Sequence, residues 1–103
     1  MSTMLHLINK SPFERNALDS CLRLAKAGSS VLLLEDGVYA AMSNAAYAKA
    51  VKPRMGDLTF YVLGPDVSAR GLDDKPLIDG INVVDYGGFV DLVVEHEVSQ
   101  SWL

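Results

Sequence analysis

One cysteine stands in the chain, Cys21, inside the stretch INKSPFERNALDSCLRLAKAG. A single thiol cannot close an intrachain disulfide, so it is buried and inert, reactive, or shared with a partner. A reactive thiol needs help toward the thiolate from a helix N-terminus or a neighbouring cation. Cys21 falls near the middle of a helical pattern, and the basic residues Arg23 and Lys26 point elsewhere. It shares its apolar flank with Leu18, Leu22 and Ala25. Geometry alone therefore favours packing, in the core or at a seam between chains. The two imidazoles, His6 and His96, have no metal-ligand spacing with Cys21. His6 reads as a packed or hydrogen-bonded residue of a strand, and His96 as a solvated side chain near a helix end. Two acidic turns, Glu35-Asp36-Gly37 and Asp85-Tyr86-Gly87-Gly88, follow apolar runs, at the carboxyl ends of strands where α/β sheets build ligand sites. Asp before Gly is equally ordinary turn and N-cap chemistry, and no substrate-binding group stands beside either turn. There is no GxGxxG and no GK[ST] phosphate loop.

Composition narrows the class. A chain of 103 residues makes one domain, residues 1–103, with one core. Half of its residues, 50%, are hydrophobic, more apolar surface than a small monomer readily hides, which hints at subunit contacts. The net charge of −4, with no basic run or stripe, argues against a direct grip on nucleic acid. The start MSTMLHLINK lacks the features of a signal peptide, and no apolar run reaches the roughly 20 residues of a membrane span. A cytoplasmic location is expected, where thiols stay reduced.

The elements that must position these residues are legible as alternating runs. MLHLI, SVLLLE, LTFYVL and INVVDY are short, nearly continuous apolar segments, as strands covered on both faces require. Helical patterns lie between them, so the expected fold is a layered α/β domain with a mainly parallel sheet flanked by helices. Ser11-Pro12-Phe13-Glu14 fits a capping box that opens the first helix, and Gly28 is placed to end it. A short helical turn after Gly37, a second piece from Asn44 to Val51, a helix after Pro65 ending near Gly71, and a helix over GGFVDLVVEHE complete the pattern. The tail VSQSWL reads as extended or irregular. Trp102 and Leu103 either dock on a neighbouring subunit, tryptophan being enriched at interface hot spots, or fold back over a sheet edge.

Taken in order, Leu5-His6, Lys10-Ser11-Pro12, Leu34-Glu35-Asp36-Gly37-Val38, Asp66 with Ala69-Arg70-Gly71-Leu72, Asp85-Tyr86 with Phe89-Val90, and Trp102 resemble the DsrH/TusB family over essentially the whole chain. The resemblance implies a DsrE-like fold and a heterohexamer with DsrE/TusD-like and DsrF/TusC-like subunits. It also implies a DsrC/TusE-like acceptor of persulfide sulfur and no metal or organic cofactor. A cysteine in the first helix is similar to DsrH, whose complex serves sulfur oxidation, so the chain is read as closer to DsrH, with Cys21 as a candidate auxiliary persulfide carrier. The alternative is a TusB-like structural, non-catalytic subunit of the relay toward 2-thiolation of the tRNA wobble uridine. In both branches the principal acceptor cysteine belongs to the DsrE/TusD-like partner. A more distant alternative is a small-molecule binder built on the Asp36 and Asp85 turns.

Overall fold

The computed structural model describes residues 4–11, 17–43, 48–96 and 98–102. Strand β1 (Met4–Ile8) leads to helix α1 (Ala17–Leu24) and strand β2 (Ser30–Leu33). A 3-10 helix (Glu35–Ala41), helix α2 (Ala48–Val51) and a second 3-10 turn (Lys52–Arg54) precede strand β3 (Thr59–Leu63). Helix α3 (Gly64–Ala69), strand β4 (Asn82–Val84), helix α4 (Tyr86–Glu95) and strand β5 (Val98–Trp102) follow. The five strands pair in the order β4-β3-β2-β1-β5, every pair parallel. The expected layered α/β fold is the one observed.

Chain direction and handedness decide which face each helix covers. The steps from β1 to β2, β3 and β4 all move the same way across the sheet, so right-handed crossovers place their helices on one face. The last step returns across the sheet to β5, and its helix α4 lands on the other face. The side chains obey this division. Ile8, Val31, Leu33, Phe60 and Val62 pack with Leu18, Cys21 and Leu22 of α1, Val51 of α2 and Val67 of α3. The alternate positions Leu5 and Leu32 pack with Leu92 of α4, joined at the edges by Leu7, Tyr61, Val84 and Phe89. One face thus holds the principal core, and a single helix covers the other.

Several boundaries differ from the sequence expectation. The tail, read as extended or irregular, is extended: it forms β5, parallel to β1 with Trp102 opposite Ile8. Helix α1 closes at Leu24, before Gly28; its Ala25 carbonyl accepts from Arg54 Nη2 at 2.9 Å. Gly28 instead makes the turn into β2, with φ +93° and its N–H donating to the Asp57 carbonyl at 2.8 Å. The helical turn expected after Gly37 begins two residues earlier, at Glu35, as a 3-10 helix. The Pro12–Glu14 portion of the capping box and the Asn44 start of the second helical piece lie outside the described residues.

Candidate functional site

Cys21 occupies the inner face of α1, fully buried in the principal core. Its neighbours are the aliphatic side chains that the amphipathic pattern aligns toward β1 and β2. Burial pushes the thiol from 9.0 up to about 12, against a smaller opposing pull from the Arg54 guanidinium. Near neutral pH the thiol is therefore held in its protonated form.

The two acidic turns have separate duties. Asp36 Oδ1 accepts from Arg70 Nε at 2.9 Å, and Arg70 Nη2 completes the ion pair at 2.9 Å from the same oxygen. Asp66 Oδ2 accepts from the Glu35 backbone N–H at 2.6 Å, and the Asp66 carbonyl accepts from Arg70 Nη1 at 3.3 Å. The start of the 3-10 helix is thereby tied to α3 across the carboxyl ends of β2 and β3. Asp85 sits beyond β4 and is the N-cap of α4, its Oδ1 accepting from the Gly88 N–H at 2.8 Å. The structure does not bring Asp36 and Asp85 together: β3 lies between their strands, and each carboxylate is engaged in its own brace. Among the described residues no group of three or more His, Cys, Asp or Glu side chains could hold a metal ion.

Both histidines are hydrogen-bonded. His96, expected to be solvated, is half-buried; its Nδ1–H donates to the Leu92 carbonyl at 2.6 Å, and its Nε2 pairs with Ser30 Oγ at 3.0 Å. The second partner lies too far away in sequence for any local pattern to announce it. His6 accepts at Nδ1 from the Trp102 indole N–H at 3.0 Å, with the ring centroids 5.8 Å apart. Trp102 thus folds back on β1, while Leu103 lies outside the described residues. Burial lowers the His6 pKa from its ordinary 6.5. A protonated His6 would turn an N–H toward the indole N–H, so the bond needs the neutral ring.

The sign of the linkage follows. With the folded pKa below the unfolded one, His6 contributes full stability above about pH 6.5, and loses it as pH falls through the lowered folded value. Wild-type stability is expected to drop, by at most about 1.4 kcal/mol per pH unit, as pH falls below about 6.5. A His6→Asn variant, whose amide oxygen can still accept from Trp102, should show a shallower slope. Urea unfolding of both proteins at stepped pH checks this; parallel slopes would reject it.

Sequence reading missed one surface. Helix α4 carries apolar residues on two opposite sides: Leu92 faces the sheet, yet Tyr86, Val90 and Val94 are 60%, 59% and 78% exposed. Val93 is exposed beside them. A surface helix normally turns polar residues, not a second apolar stripe, to water. The signal was present in YGGFVDLVVE as a second apolar stripe, four and eight residues on from Tyr86, opposite the one that packs.

Comparison with known proteins then settles the lineage. A family described as "DsrH like protein" matches residues 10–99. The protein TusB of Pectobacterium parmentieri is 35% identical over 100 residues, covering 96% of this chain and 100% of that protein. The chain belongs to the DsrH/TusB family. TusB of Shigella flexneri is 37% identical and TusB of Escherichia coli K12 35% identical, each over 99 residues, 96% of this chain and 100% of the relative. The fold is shared more widely. The ychN protein from E. coli superposes with a TM-score of 0.85 at 15% identity, covering 98% of this chain and 99% of that one. MTH1491 from Methanobacterium thermoautotrophicum, a protein of unknown function, does so with 0.75 at 19%, with the same coverage.

Family membership gives the motif residues a common sense. The segments Leu34–Val38 and Asp66–Leu72, which carried the DsrH/TusB resemblance, are the two halves of the Arg70–Asp36 and Asp66–Glu35 brace. Asp85 is a helix cap, and Trp102 locks the last strand to His6. These are architectural roles. The lean toward DsrH, drawn from a cysteine in the first helix, is not supported by the relatives above, all of which bear the TusB name; the TusB alternative fits them better.

Proposed function

We propose that this chain is a structural, non-catalytic TusB-like subunit of a cytoplasmic sulfur relay whose product is the 2-thiolated wobble uridine of tRNA. In this reading it assembles with TusD-like and TusC-like subunits into a heterohexamer, and the sulfur passes from the TusD-like cysteine to a TusE-like acceptor. The observation that carries the non-catalytic part is the state of Cys21, buried in the core with its thiol pushed up to about 12. Persulfide transfer proceeds by thiolate attack, and a protonated, enclosed thiol has neither the charge nor the access. The apolar outer face of α4 supports membership of an assembly, since such a stripe is a surface that awaits cover. Among the described residues no helix is long and apolar enough to cross a membrane.

The test is intact-mass spectrometry of the assembled complex after exposure to a persulfide donor, with a Cys21→Ser variant as control. Sulfur is expected on the TusD-like subunit and not on this chain. In the isolated chain, a thiol-alkylating reagent is expected to label Cys21 at least about a hundredfold more slowly than it labels the urea-unfolded protein. Sulfur gained by wild type but not by Cys21→Ser, with rapid labelling of the folded chain, would return the carrier role. The DsrH reading, sulfur oxidation with exchange to DsrC, keeps the cysteine of α1 in its favour. Preferential binding of a DsrC-like over a TusE-like acceptor by the assembled complex would decide for it.

A further inference from the structure

Between the end of α1 and the outer strand β5 lies a cavity of about 280 Å³. It exists for a topological reason. The helices of the principal face follow β1, β2 and β3, and β5 lies at the far edge of the sheet beyond β1, past the end of α1. His6 and Gln100, register partners on neighbouring strands, both line the opening. Met4, Leu24 and Trp102 give it apolar walls, and Ser29 and Lys26 complete it.

Two of these lining residues are themselves buried, yet each turns a polar atom without a partner among the described residues toward the opening. His6 is 4% exposed, and its Nδ1 is taken by Trp102. The neutral ring then carries its proton on Nε2, for which the described residues supply no hydrogen-bond partner. Ser29 is 5% exposed, and its hydroxyl likewise has no partner among the described residues. Neither atom is sealed from solvent-sized access, as Asn9 Oδ1 is; both residues open on this one cavity. Donors that open on a cavity in this way are met by water or by a ligand that displaces it. The ammonium of Lys26 is the only charged group among the lining residues. Among the described lining residues the inventory is thus the His6 and Ser29 donors, the Gln100 amide, one positive charge and no carboxylate, with an indole beside aliphatic walls. Sites of that kind orient a ligand by a few polar groups and hold it by apolar contact.

We infer that this cavity binds a small organic carboxylate, whose oxygens accept from His6 Nε2–H, Ser29 Oγ–H and Lys26 and whose apolar body lies against Trp102 and Leu24. The site is separate from the Cys21 core and from the outer face of α4, and it does not depend on which relay the chain serves.

Trp102 is the sole tryptophan of the chain, so indole emission reports on the cavity directly. The probes are 3-phenylpropionate and its neutral isostere 3-phenylpropionamide, titrated into the full-length chain. The carboxylate is expected to change Trp102 emission saturably with a Kd of roughly 1 mM or below, and the amide to bind at least about tenfold more weakly, as the loss of a charge-assisted hydrogen bond requires. Lys26→Met, a change at an exposed position, should leave thermal stability unaltered and weaken carboxylate binding about tenfold. Ser29→Ala should weaken it in the same direction. Absence of a saturable response to the carboxylate up to about 10 mM, equal binding of acid and amide, or an unchanged Kd in folded Lys26→Met would each overturn the inference. So would a cavity that responds only to added partner subunits, which would make it a pocket for a protein side chain.

Discussion

Gly37→Ala is expected to destabilise the chain by about 3 kcal/mol or more, read as the shift in urea midpoint at constant m value. The 3-10 helix after β2 crosses the end of β1 so closely that a Cβ on Gly37 would collide with the Ile8 carbonyl oxygen and lie 2.9 Å from its carbon. Both partners are backbone, so no rotamer can relieve the clash. The helix cannot simply swing outward either. Leu34 N–H donates to that same Ile8 carbonyl at 3.0 Å, and Gly37 N–H donates to the Leu34 carbonyl at 2.9 Å. Glu35 between them is held at φ +50°, a left-handed conformation that costs a non-glycine residue of order 1 kcal/mol, and its N–H is fixed by Asp66. Moving the helix to admit one methyl would release all of these bonds and the Arg70–Asp36 pair with them. Gly56→Ala is the control: a Cβ there meets nothing within 4 Å, and its stability should stay within about 0.5 kcal/mol of wild type. A Gly37→Ala protein as stable as the Gly56→Ala control would show that the strand end and the helix are not in fact locked.

The same crossing shows what a sequence can and cannot display. The runs at Met4–Ile8 and Ser30–Leu33 were legible because strands buried on both faces have no room for polar residues. The burial of Cys21 was legible too, as a position on the apolar side of α1. β5 was legible only as a tail, extended or irregular: Val-Ser-Gln-Ser-Trp is an edge strand, and its polar residues are equally those of a loop. The Asp36–Arg70 pair joins residues 34 apart and the His96–Ser30 pair joins residues 66 apart. Nothing local distinguishes those side chains from solvated ones until the strand order brings them together. The cavity beside His6 was hidden for the same reason, since its walls come from both ends of the chain.

Val90→Asp combined with Val94→Asp should leave the isolated chain folded and prevent its assembly with the TusC-like and TusD-like partners. The two valines project from α4 on the side away from Leu92, and most of each is in water in the single chain. Exchanging them for aspartate removes no core contact, and the helix propensities of Val and Asp are close, so the melting temperature of the isolated chain should change by only a degree or two. In the assembly the outcome differs. If a partner covers the Tyr86–Val94 stripe, two carboxylates without partners would be buried in an apolar contact. Interface positions of that kind cost about 2 kcal/mol or more, roughly thirtyfold in affinity. Co-purification of the three subunits at matched concentration, with Asp74→Lys on an exposed loop as a surface-charge control, reads the effect. Wild-type assembly by the folded double variant would remove α4 from the interface. A large drop in the melting temperature of the isolated variant would place the two valines in the fold itself. With assembly lost and folding intact, the excess of apolar residues in this chain has its explanation, because the hydrophobic surface one short domain cannot bury is then the surface its partners do.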